Sequence, residues 1–288
     1  MEKYNIDNII LRNEALEVYL DNDNCELVAD LKGYETRNNS MFKLIKQSWE
    51  KLIKDQIPHK CFKGIIYTGD RYKKDIRFKN SLSMAGKLEN YENLIPSFVF
   101  ESWEQVGIMN YEDKIKSIIK ASKEKYTDER VFWIGNCNSN PERWKYVDYT
   151  KNHSKTTLFL PLKWIRNGKE DMSKTTPAFV SLEDHSKYRV LLDGVPNGYS
   201  GRIPFLLATG RPVIIHERDF EQWYFYDGTF KPWVHYIPLK EMSELDKIIK
   251  WTIDNKKECE KIGKAGQEYV LENLNINKIF ILLLSFCI

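Results

Sequence analysis

Between Tyr188 and Gly210 the sequence runs from an apolar strand through a glycine-bearing loop into an apolar helix, and this unit constrains the fold more than any other stretch. Arg189 to Leu192 reads as the strand and Asp193-Gly194-Val195-Pro196-Asn197-Gly198 as the loop. Ser200 to Thr209 reads as the helix, with Pro204 tolerated in its first turn and Gly210 as the stop. Pro212 to His216 reads as the next strand. Strands alternating with helices build sheets covered by helices, so the expected class is α/β.

The same alternation recurs along the chain. Gly64 to Thr68 reads as a strand ending in a turn, Ser97 to Phe100 as a second candidate, and Val131-Phe132-Trp133-Ile134 as a strand stopped by Gly135. Ile115, Ile118, Ile119 and Tyr126 recur at helical spacing, which predicts an amphipathic helix over 111–126 capped by Asn110. Ser243-Glu244-Leu245-Asp246 has the spacing of a capping box ahead of the stripe Leu245, Ile248, Ile249 and Ile253. A further helix is expected from about Lys256 to Asn273. The natural break after Tyr126 divides the chain into 1–128 and 129–288, expected to be two α/β units facing one another across a cleft.

Charge and cysteine usage exclude several functions. The 44 basic and 41 acidic side chains nearly cancel, and no stretch concentrates the basic face of a nucleic-acid binder. Five cysteines without Cys-x-x-Cys spacing argue against a zinc site or a disulfide framework. The five histidines lie at least 19 residues apart and give no metal-ligand spacing. Asp21-Asn22-Asp23 has an Asp-x-Asp form but reads as an acidic loop. The polar opening residues show no secretory signal, so a cytoplasmic location is expected. The apolar run from Ile279 to Ile288 is too short to span a bilayer and is either a buried terminal element or an altered end.

Three places can carry chemistry. In open α/β sheets ligands bind beyond the carboxyl ends of the strands. Ser200 and Arg202 stand at the expected helix start after one such strand, where a hydroxyl, a guanidinium fork and backbone N–H groups suit a diphosphate. Arg202 paired with a surface carboxylate is the competing reading. Gly135-Asn136-Cys137-Asn138-Ser139-Asn140-Pro141-Glu142-Arg143 crowds small and polar residues beyond another strand, either to hold phosphate or sugar, or as a plain surface loop. Asp70 follows the strand 64–68, where a carboxylate can act as a general base or merely cap the turn beside Arg71. The aromatic stretches Trp223-Tyr224 and 231–238 read first as core.

The run Lys231-Pro232-Trp233-Val234-His235-Tyr236-Ile237-Pro238, preceded by Glu221-Gln222-Trp223-Tyr224, resembles the signature of glycosyltransferase family 90. The resemblance continues in order through Phe132-Trp133-Ile134-Gly135, Pro141-Glu142-Arg143, Asp184 to Arg189, Leu192-Asp193-Gly194, Ser200-Gly201-Arg202 and Gly263 to Gln267. More loosely it reaches back to Tyr67-Thr68-Gly69-Asp70 and Pro96 to Phe100. Ile134 stands where the family commonly has Arg.

The resemblance implies a GT-B-like arrangement of two Rossmann-like domains, with the acceptor on the first and the nucleotide-sugar on the second. It implies inverting transfer of a sugar, glucose or xylose, from a UDP-sugar co-substrate to an acceptor hydroxyl on a glycan, lipopolysaccharide or protein, without a bound divalent metal. Asp70 matches the family's catalytic base. Arg143 and Arg202 match donor-diphosphate positions, with Asn136 and the segment Asn197, Gly198, Tyr199, Ser200 and Gly201 beside them. Phe98 and Phe100 fall in an aromatic segment that lines the sugar and acceptor site. The alternative is a carbohydrate- or nucleotide-binding protein that kept the fold without catalysis. No nucleic-acid partner and no transmembrane span are expected.

Overall fold

Six residues, Ala15–Leu20, all buried except the half-buried Tyr19, form strand β1 inside the first sheet. The computed structural model describes residues 15–21, 25–30, 35–70, 81–162, 165–166, 169–170, 180–195 and 197–285. Asn22, Asp23, Arg71, Pro196 and the last three residues of the apolar terminal run lie outside them. The chain forms two units, Met1–Glu112 with Asp219–Asp227 and Asn275–Ile288, and Asp113–Arg218 with Gly228–Leu274. Both hold strands and helices, in keeping with the expected α/β class.

In unit 1, β1 pairs antiparallel with β2 (Cys25–Asp30) and with β3 (Phe62–Tyr67), and β3 pairs parallel with β4 (Ser81–Ser83), giving the order β2-β1-β3-β4. Helix α1 (Glu35–Lys54) buries Met41, Leu44, Ile45, Ser48, Trp49 and Leu52. That i, i+3, i+4 spacing is one continuous stripe, the pattern that makes a helix lie on a sheet.

The expected strand over 97–100 is instead a turn of 3-10 helix, Phe98–Phe100. Phe98, Val99 and Phe100 are all buried. A strand would send alternate side chains to opposite faces, whereas three residues per turn spread them around one axis, so all three reach packed surroundings. Phe100 meets Tyr111 and Trp223, the latter from the segment Asp219–Asp227. Ser97 Oγ donates to Gln222 Oε1 at 3.1 Å, and Tyr226 Oη donates to the Gly86 carbonyl at 2.9 Å. Trp223 and Tyr224 are thus core residues, as first read.

The remaining elements follow in chain order. They are α2 (Tyr111–Ser122), β5 (Asp128–Gly135), α3 (Trp144–Asn152), β6 (Thr157–Pro161), β7 (Ile165–Arg166), β8 (Lys169–Glu170), β9 (Tyr188–Asp193), α4 (Ile203–Ala208), β10 (Val213–His216), β11 (Ile237–Leu239), α5 (Leu245–Asp254), α6 (Lys256–Asn273) and α7 (Ile276–Leu283). In unit 2 five strands form an all-parallel sheet in the order β11-β10-β9-β5-β6. The near-continuous apolar runs of β5 and β9 follow from burial on both faces of such a sheet. α7 returns to unit 1 and packs on α1, burying Ile279 and Leu283, so this part of the apolar terminal run is a buried helix.

Three further expectations shift. α2 ends at Ser122 rather than Tyr126. α4 spans six residues and starts at Ile203, leaving Ser200 and Gly201 in the loop. The capping box does not form: Met242–Glu244 make a 3-10 turn, and Glu244 caps α5 without a side-chain bond. Only the helix 256–273 matches its expected bounds. On that helix, a Cβ added at Gly263 would lie 2.4 Å from the Gly210 carbonyl oxygen, so glycine is required where α6 meets the turn after α4. Among the described residues no helix is long and apolar enough to cross a membrane.

Candidate functional site

The loops that follow β5 and β9 meet in unit 2, and side chains from both are tied together there. From β5 the chain passes to β6 on one side, and β9 lies on the other. The strand order therefore reverses between β5 and β9, and such a switch point opens a crevice beyond the carboxyl ends.

Arg143 ends a short 3-10 turn, Pro141–Arg143, whose start is capped by Asn140 accepting from the Glu142 N–H. Its Nε donates to the Val195 carbonyl at 2.7 Å, which bridges the β5 loop to the β9 loop. Its Nη1 donates to the Asn136 carbonyl at 2.8 Å and to Ser139 Oγ at 2.6 Å. Asn136 is itself part of this loop, its side-chain oxygen accepting from the Asn138 N–H.

Arg202 stands just before α4. Its Nε donates to Asp193 Oδ1 at 2.8 Å and its Nη1 to the Ile134 carbonyl at 2.6 Å. At position 134 it is the backbone carbonyl, not the isoleucine side chain, that accepts this bond. Ser200 Oγ also donates to Asp193 Oδ1, at 3.1 Å. Asn197 is exposed, Ser200 is half-buried, and Gly198, Tyr199 and Gly201 are buried. The expected helix start at Ser200 is thus replaced by a loop built around Asp193.

Asp193, 1% exposed, sits at the centre of these contacts, though no local signal in the sequence marks it. Burial alone would raise its pKa, but Arg218 and Arg202 outweigh burial and hold it at about 2. Arg218 donates to Oδ2 at 2.8 Å and is 2% exposed. It follows the carboxyl end of β10 by two residues, so the rule that singled out the other loops would have found it. Burial first, and the neighbouring Arg202 next, pull the Arg143 guanidinium down to about 10, so it remains cationic at neutral pH.

Two guanidinium groups, Arg202 and Arg218, therefore share one buried carboxylate, and Arg143 lies close enough to feel its field, leaving surplus positive charge at this end of the sheet. Among the described residues, Nη2 of Arg143 and Nη2 of Arg202 have no protein partner, while the other nitrogens of each fork are fixed. A pair of oriented, cationic donors is suited to a phosphate group.

Two glycines are explained beneath this cluster. A Cβ at Gly135 would come within 2.5 Å of the Trp133 ring, and one at Gly194 within 2.9 Å of Tyr146 and 3.0 Å of the Trp133 indole nitrogen. The fully buried Trp133 passes under both loops and holds them at one level. Tyr146 Oη bonds His216 Nδ1 and accepts from the Val195 N–H at 3.2 Å, which fixes the β9 loop from the side.

Other stretches that resemble the family serve the fold. Arg189 is buried and donates to the Glu129 carbonyl at 3.1 Å and the Thr252 carbonyl at 2.8 Å, joining β9 to β5 and α5. The 231–236 turn closes through Trp233 N–H to the Tyr236 carbonyl, with Trp233 at a φ of +62°. His235 Nδ1 accepts from the Lys231 N–H at 2.9 Å, and the His235 carbonyl faces Gly266.

In unit 1, Asp70 pairs with Arg37 of α1, Nη1 to Oδ1 at 2.7 Å. Phe98 and Phe100 are buried, 2% and 1% exposed, and their rings pack inside the unit rather than forming an open wall. Among the described residues no group of three or more His, Cys, Asp or Glu side chains is placed to hold a metal ion.

Protein O-glucosyltransferase 2 of Danio rerio is 36% identical over 95 residues, 33% of this chain and 18% of that protein. O-glucosyltransferase rumi of Drosophila melanogaster is 30% identical over 156 residues, 53% of this chain and 35% of that protein. The matched stretches thus span well under half of these relatives. Among solved structures, Anabaena Alr3699/HepE in complex with UDP-glucose is similar at 12% identity and a TM-score of 0.37, covering 59% of this chain and 44% of that one. The family model described as Glycosyl transferase family 90 matches residues 72–286, beginning two residues after Asp70. The chain belongs to glycosyl transferase family 90.

Proposed function

We propose that this chain is an inverting, metal-independent glycosyltransferase that moves a sugar, glucose or xylose, from a UDP-sugar to an acceptor hydroxyl on a glycan, lipopolysaccharide or protein. The observation that carries the reading is the pair of Nη2 donors, one each on Arg143 and Arg202, left over beside the buried Asp193 carboxylate that Arg202 and Arg218 share. Relatives named as protein O-glucosyltransferases favour glucose as the sugar and a protein as the acceptor.

In the proposed step the acceptor oxygen forms a bond to the anomeric carbon while the bond from that carbon to the diphosphate breaks. Attack from the face opposite the leaving group inverts the centre. Asp70 takes the acceptor proton, and Arg143 and Arg202 stabilise the negative charge that grows on the leaving UDP. Fixed donors aimed at developing charge do this without reorganising during the step. Asn136 and the segment Asn197 to Gly201 border the donor, and Phe98 and Phe100 support the acceptor side from beneath.

The experiment is a panel of nucleotide sugars screened for thermal stabilisation, followed by an assay of UDP release with candidate acceptors. Stabilisation by UDP-sugars with turnover supports a transferase. Stabilisation without turnover supports a binding protein that kept the fold, and no stabilisation by any member removes the proposal.

A further inference from the structure

The opening turn of α1 holds two separate segments of unit 1 at once. Arg37 Nη1 donates to the Thr68 carbonyl at 3.1 Å and to Asp70 Oδ1 at 2.7 Å. Asn38, the next residue, accepts from the Thr68 hydroxyl at 2.6 Å. Ser40 Oγ and Ser102 Oγ lie 2.8 Å apart, which joins the same helix to the stretch just after Phe100. The Arg37 guanidinium lies over the Phe98 ring, 4.9 Å from its centroid. The loop carrying Asp70 and the 3-10 turn carrying Phe98 are therefore braced by one cation.

Exposure separates this pair from ordinary surface pairs. Arg37 is 12% exposed and Asp70 34% exposed, so the cation is sheltered and the carboxylate is open. In Lys250–Asp254, by contrast, both ends stand in solvent, and such pairs contribute little. Among the described residues Oδ2 of Asp70 has no partner, while Oδ1 is fixed. One oxygen anchored and the other open is the arrangement a proton acceptor needs if its direction is to be set in advance. The Phe98 ring face lies against the guanidinium carbon and helps hold the cation in place, and the held cation in turn limits how the carboxylate moves.

We infer that Arg37 is the positioning residue for the Asp70 carboxylate, with Phe98 as the platform beneath it; the inference rests on the base role proposed for Asp70. Phe98 then acts on the reaction through Arg37 rather than by touching sugar. Misplacing a reacting group by about 1 Å costs on the order of a hundredfold in rate, so the brace is worth a measurable part of turnover.

The test uses the full chain with the donor that turns over. Arg37→Ala is expected to lower kcat by about 10- to 100-fold while the donor KM stays within about twofold. Arg37→Lys, which keeps the charge and the stacking stem, falls between it and wild type. Guanidinium ion at millimolar concentration restores part of the kcat of Arg37→Ala and nothing to Asp70→Asn. If Arg37→Ala keeps wild-type kcat while Asp70→Asn is inactive, the positioning role is wrong and the base reading stands. If Asp70→Asn transfers at the wild-type rate, the base reading falls and this inference falls with it. A loss in Arg37→Ala that guanidinium does not restore marks a brace in the fold alone and overturns the inference.

Discussion

Asp193 and Arg218 meet at 2.8 Å with both side chains almost wholly buried, and the second oxygen of Asp193 holds Arg202 at the same distance. One carboxylate at the end of β9 thus organises cations from the α4 side and from beyond β10. Removing one partner from a buried ion pair strands the rest, which costs about 3–5 kcal/mol. Asp193→Ala is expected to lose stability of that order, read by urea unfolding at neutral pH. A loss below about 1 kcal/mol would show that the cluster is held by something other than this carboxylate.

Arg143 is not replaceable by lysine on this account. Its Nε and Nη1 reach three acceptors, Val195, Asn136 and Ser139, and that fork crosses between two loops. A lysine supplies charge but no planar fork. Arg143→Lys is expected to weaken UDP binding about tenfold, measured by calorimetry, and wild-type affinity would remove the bridging role.

Gly263→Ala decides whether α6 is as tightly seated as the structure has it. In an exposed helix the change stabilises by about 1 kcal/mol through helix propensity. Here the new Cβ would meet backbone at 2.4 and 2.7 Å, atoms that cannot swing aside. The expected sign is therefore reversed, with a loss of about 1–3 kcal/mol, seen as a lower thermal midpoint. An unchanged or raised midpoint would contradict the close seating.

His185 gives the protein an acid-sensitive core. The ring is buried, lies edge-on to Phe132 and bonds the Ser181 carbonyl through Nδ1. Burial pushes its pKa down to about 4 from an ordinary value of 6.5. The unfolded chain binds this proton first, so stability from the group is full above pH 6.5 and is lost as pH falls toward 4. Between pH 7 and pH 5 the loss is about 2 kcal/mol. His185→Gln is expected to shrink the drop in unfolding free energy over that interval by about this amount. An equal drop in both proteins would place the acid sensitivity elsewhere.

Much of unit 2 is legible in the sequence because its signals are local. The runs at 131–134, 189–192 and 212–216 are apolar, short and bounded by glycine, which is what a buried parallel strand requires. Arg143 and Arg202 stand where strands end, and the structure brings both to the loops of β5 and β9. What escaped is non-local. Asp193 looks like a loop residue until Arg202, nine positions on, and Arg218, twenty-five on, are seen to share it. Arg37 lies on α1, a helix not among the expected elements, and nothing near it names Asp70, thirty-three positions later. Phe98 to Phe100 is ambiguous for a different reason, since three consecutive apolar residues fit a strand or a 3-10 turn equally well.

Titration of UDP into wild type and Arg202→Ala by calorimetry tests the central claim most directly. The account predicts that wild type binds and that the variant binds about 10- to 100-fold more weakly, as loss of a charged donor to a diphosphate requires. Equal affinity in the two proteins, or no binding to wild type, would contradict it.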